Sequence, residues 1–93
     1  MSSNGKSQRN ALTAAERAIQ ALGIGDPDRA VSNADKASSL DQIGIYAEFP
    51  AAVRAAATDI EAGGAVDDAG WDAVADAVGP GPLAYLIAEV RDG

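Results

Sequence analysis

The sequence predicts an all-α fold, a small bundle of four to five short helices arranged as stacked αα-hairpins. Three observations carry that expectation. Apolar residues recur at three- and four-residue spacing through most of the chain. Gly, Pro and Asp punctuate those stripes where helices should stop and start. Of the 93 residues, 22 are alanine, the strongest helix former.

Residues 1–9, polar and without periodicity, read as a disordered tail, leaving residues 10–93 as a single helical domain. Thr13 and Glu16 form a capping box at the start of the first helix, although an earlier start is compatible with the sequence. Leu12, Ala15, Ile19 and Leu22 mark its buried stripe. Gly23 suits a left-handed C′ position, with Ile24 folding back as its apolar partner. Asp26 and Pro27 open the second helix: the carboxylate accepts first-turn N–H groups, and proline at the first helical position loses no hydrogen bond. Ala30, Val31, Ala34 and Ala37 form its inner face, and Leu40 closes it.

Residues 41–49, DQIGIYAEF, carry two patterns. Ile43, Ile45, Ala47 and Phe49 alternate as in a strand, whereas Ile43, Tyr46 and Ala47 match a helix. A lone strand has no partner in a helical chain, so a short helix is expected. A third helix from Pro50 carries Val53, Ala56, Ala57 and Ile60 and ends at Gly63-Gly64. A fourth, capped by Asp67 or Asp68, carries Trp71, Val74, Ala75 and Val78. The GPGP of residues 79–82 is a rigid spacer, and the last helix aligns Leu83, Leu86, Ile87 and Val90.

Shifting the first helix by 38 residues places Ala15, Ala18, Ile19 and Leu22 on Val53, Ala56, Ala57 and Ile60. A shift of 39 places Ala30 and Ala34 on Ala69 and Ala73. Both would fit a repeat of two hairpins, but at the second shift Ala37 meets Asp76, and matches that are mostly alanine arise easily by chance in a chain with 22 alanines. Residues 18–41 resemble a tetratricopeptide repeat through Gly25, Asp26, Arg29, Ala30, Ala34, Lys36, Ala37, Leu40 and Asp41. The first helix lacks that family's usual aromatics and no proline follows Asp41. The resemblance implies helical hairpins presenting a groove to a peptide or protein.

Composition narrows the function. Acids outnumber bases 14 to 7, a net charge of −7 that disfavours direct binding to nucleic acid or anionic membrane. Cysteine and histidine are absent, removing thiolate chemistry, the commonest general base and the commonest transition-metal ligand. Neither a signal peptide nor a membrane span is legible, so a cytoplasmic chain without cofactor or catalysis is expected. Residues 59–70 echo a calcium loop, but Gly70 stands where the bidentate glutamate belongs.

Candidate partner-binding residues fall into three groups. Asp68, Asp72 and Asp76 lie four apart along one side of the fourth helix, within a segment, 53–93, that holds eight acids and two bases. Like charges at that spacing repel, and either solvent or a cationic partner relieves them. Arg29, Asn33 and Lys36 share an outward face of the second helix and suit a carboxylate, if they are more than a solvated face. Tyr85 lies off the last helix's apolar stripe and should be partly exposed, whereas Trp71 should anchor the core. The expected function is a small acidic protein-interaction module or regulatory adaptor. The alternatives are an acidic inhibitor or nucleic-acid mimic filling a basic groove, and a structural subunit. Half of the apolar residues are alanine, so large core side chains are few. A protein or peptide partner, or a homodimer through the C-terminal half, would supplement that core.

Overall fold

Helix α1 (Ser3–Gly23) runs straight through the stretch whose polarity suggested a tail. The computed structural model describes the chain from Ser3 to Gly93, with side chains from Gly5 onward; the part of the expected tail at residues 1–2 lies outside the described residues. Two corrections follow. Residues 3–9 are the first turns of α1 despite poor helix formers such as Gly5 and Ser7, and Gln8 ties them down through amide bonds that reach residues 41 and 42. Thr13 is therefore inside the helix, and its hydroxyl donates back to the Arg9 carbonyl at 3.1 Å rather than capping anything.

The turn into α2 (Pro27–Leu40) is the expected short one. Asp26 Oδ1 accepts the Arg29 N–H at 3.0 Å, and Pro27 occupies the first helical turn. The left-handed residue of the turn is Gly25 (φ +77°), not Gly23, and Ile24 is 72% exposed instead of folding back. Gly23 has another use. A Cβ there would collide with Cγ1 of Val90, so the missing side chain lets the C-terminal helix approach the end of α1.

Residues 41–48 form neither the expected short helix nor a strand, and α3 (Phe49–Gly63) begins directly after them. Asp67 caps α4 (Asp68–Val78), its Oδ1 accepting from Gly70 N–H at 2.7 Å. The 79–82 connector then leads into α5 (Pro82–Asp92). Among the described residues no strand occurs.

Consecutive helices pack as neighbours, most extensively α1 on α2, and α5 returns to pack on α1. The central position of α1 explains its wide buried face, which includes Ala11, Ala14, Ala15, Ala18, Ile19, Ala21 and Leu22. Leu12, expected in the stripe, is only partly buried. Around α1 the core gathers Ala30, Ala34 and Ala37 of α2 and Phe49, Val53, Ala56 and Ile60 of α3. Trp71 and Val74 of α4, with Leu83 and Ile87 of α5, complete it. Small side chains on facing helices keep interaxial distances short, so an alanine-rich sequence still encloses a buried core. The radius of gyration, 12.4 Å, is that of a folded chain of this length.

The repeat arithmetic is partly reflected in burial. All eight residues related by the 38-residue shift are buried. The 39-residue shift fails for α4, because Ala69 and Ala73 are exposed. Gly70 and Val74 are buried instead, a shift of 40 from Ala30 and Ala34.

Candidate functional site: an apolar groove beside Arg9

The loop of residues 41–48 is built around one carboxylate. Asp41 Oδ1 accepts the N–H groups of Ile43 and Gly44, both at 3.1 Å, and Oδ2 accepts that of Tyr46 at 2.7 Å. Gln8 Nε2 donates to Oδ1 at 2.9 Å from α1, while Gln8 Oε1 accepts the Gln42 N–H at 2.7 Å. Aspartate competes well for such local N–H groups, which is why neither regular pattern survives here. Burial acts to raise the Asp41 pKa, but the donors from Tyr46, Gln8, Ile43 and Gly44 together outweigh it and hold the carboxyl below its ordinary value.

The loop sorts its apolar residues. Tyr46 turns inward, 3% exposed, and its ring meets Phe49 at 5.9 Å between centroids. Burial, then the carboxylates of Asp41 and Glu16, raise its phenol pKa. Ile43 and Ile45 stay at the surface, 70% and 49% exposed.

Beside this loop lies a cavity of about 330 Å³, open to solvent. Helix α1 contributes Gln8, Arg9 and Leu12, and the loop contributes Ile45 and Tyr46. The opposite wall is Val78, the 79–82 connector and Leu83. A hollow of this size with mostly apolar walls and few polar groups is the usual form of a binding site. No acid lines it, and Arg9 is its one charge among the described residues.

The residues singled out from sequence lie elsewhere. Arg29 and Asn33 face a hollow of about 460 Å³ between α1 and α2, shared with Arg17, Gln20 and Ile24. Lys36 faces a neighbouring hollow of about 340 Å³, also lined by Arg17. Both Arg29 and Asn33 have local partners: Arg29 pairs with Asp26 at 3.8 Å, and Asn33 Nδ2 donates to the Arg29 carbonyl at 3.0 Å. On α4, Asp68 and Asp72 are drawn together by Arg91 of α5, at 3.3 and 3.0 Å, so the chain relieves that repulsion itself. The hydrogen bond to Asp72 leads in raising the Arg91 pKa, and the guanidinium stays charged. Asp76 is exposed and makes no ion pair among the described residues. Tyr85 is 77% exposed, and Trp71 is buried in the core.

Sequence reasoning missed Gln8 and Arg9, placed in the supposed tail, and Arg17 and Arg91, which matter only through other helices. One signal was readable: an aspartate directly after a helix, with Gly44 three residues on, fits a side-chain-organised loop. No helix among the described residues is long and apolar enough to cross a membrane. Comparison of the chain with family models, curated proteins and solved structures finds no match.

Proposed function

We propose that this chain is a small acidic interaction module, an adaptor that binds a protein or peptide through the groove beside Arg9 and performs no catalysis. The observation carrying this reading is the groove: an apolar hollow of about 330 Å³ that Ile45, half exposed, leaves open to solvent. Apolar surface left open beside a thin, alanine-rich core is surface that a partner can cover. The tetratricopeptide-like string of residues 18–41 supports the same class, with the α1–α2 hollow at Arg29 and Asn33 as a secondary contact. On this reading the chain works in the cytoplasm.

The acidic-mimic alternative draws on the eight acids and two bases of residues 53–93. It is weakened because Arg91 already pairs with Asp68 and Asp72 within the chain. Photo-crosslinking separates the two. With a photoreactive residue at Ile45, adducts in extracts of the producing cells should exceed those from the same residue at Asp76. Adducts favouring Asp76, or none at Ile45, would sink the groove reading.

A further inference from the structure

The groove's polar groups are few and unequal. Gln8 is spent on the 41–48 loop through both its amide atoms. Asp41, the acid within that wall, is turned into the loop and holds four donors. On the opposite wall, Pro80 and Pro82 have no N–H, and the Gly79 N–H is already given to the Ala75 carbonyl. That wall offers a strand few donors to pair with, which favours contacts with apolar side chains.

Arg9 remains. It is exposed, and its guanidinium makes no ion pair among the described residues, unlike those of Arg29, Arg54 and Arg91. In a chain with twice as many acids as bases, the groove holds no acid and one unpaired arginine; the hollows at Arg17, Arg29 and Lys36 are likewise acid-free, but this one sets its cation among mostly apolar walls. The chain's net charge repels a carboxylate, and Arg9 gives it a cation to meet in this groove. Arginine also offers it a fork of two parallel donors.

Resting on the groove as the binding surface, we propose that its occupant is a partner peptide presenting one carboxylate beside apolar side chains. The apolar groups lie on Leu12, Ile45, Val78 and Leu83, and the carboxylate meets Arg9. Charge complementarity selects the acid, and the proline-bearing wall selects side chains over backbone.

Three probe peptides test this on the full chain by NMR: acetyl-Leu-Leu-Asp-amide and its Asn and Lys counterparts. Methyl shifts at Leu12, Ile45, Val78 and Leu83 should saturate first with the Asp peptide. The Asn peptide should bind up to about fivefold more weakly, the scale of an exposed ion pair, with the gap narrowing in salt. Arg9→Glu should reverse the order of the Asp and Lys peptides, its fold checked by an unchanged melting curve. Equal binding of the Asp and Asn peptides to the wild-type chain overturns the carboxylate preference and leaves the groove reading standing. Absence of groove shifts with any of the three overturns both.

Discussion

The two walls of the groove reach a fixed shape by opposite means. The 41–48 loop has no proline and is held by the Asp41 carboxylate, which gathers donors from four residues. The 79–82 connector has no such hub, and Gly81, at the start of α5, makes no side-chain cap bond. Its shape comes from two prolines and from Gly81 at φ 145°, ψ −163°, a region open to glycine almost alone. Ordering a free residue costs roughly 1–2 kcal/mol of backbone entropy, and proline has lost part of that freedom before folding. A loop of ordinary residues needs bonds to fix it, whereas a Gly-Pro connector needs only permitted angles.

The largest expected effect comes from removing the hub. Asp41→Ala removes the acceptor that four donors share and frees Gln8, a loss of about 2–3 kcal/mol. In a domain of this size that lowers Tm by roughly 10 °C or more, measured by thermal circular dichroism. Asp41→Asn keeps one acceptor oxygen and should fall between. A Tm unchanged in both would show that the loop holds without its carboxylate.

Gly81→Ala attacks the other wall through its backbone and should cost about 1–3 kcal/mol. The loop bonds at Asp41 should persist, so slowed amide exchange of Tyr46 N–H should survive in Gly81→Ala and vanish in Asp41→Ala. Loss in both variants would mean that the walls fold as one unit.

Gly23→Ala is expected to cost about 1 kcal/mol. In an open helix that change gains roughly 0.8–1 kcal/mol, but here the added methyl meets Val90 and forces α5 away from α1. Val90→Ala should restore the gain in the double variant. If Gly23→Ala alone stabilises the chain in chemical denaturation, α5 is not pinned there.

The smallest effect is with pH, and only one wall should respond. The folded Asp41 pKa lies below its ordinary value of 3.8. Its contribution is therefore complete above that value and is lost as pH falls through the lowered folded pKa. Acid titration followed at the Tyr46 amide should show the loop opening in that window, with Val78 and Leu83 signals unmoved at its onset. Asp41→Asn should remove the step.

Most helix boundaries were legible because they are local chemistry. Asp26 and Asp67 accept N–H groups of their own first turns, Pro82 sits where a first turn needs no N–H, and Trp71 and Ile87 follow a spacing one helix imposes on itself. The error at Gly23 was of another kind. A glycine near a helix end satisfies both a left-handed turn and a close approach, and only the position of Val90 distinguishes them.

The sequence by itself determined the all-α class, the Asp26 hairpin and the burial of Trp71, since periodicity and capping depend on neighbours a few residues away. It did not determine the groove. Gln8 and Arg9 are polar residues near a terminus until α1 sets them against residues 41–46 and 78–83, more than thirty positions downstream. Asp68 and Asp72 form a repelling pair until α5 delivers Arg91. Those placements were decided by tertiary structure, because packing α5 back onto α1 joins distant segments without leaving any periodic mark in the chain.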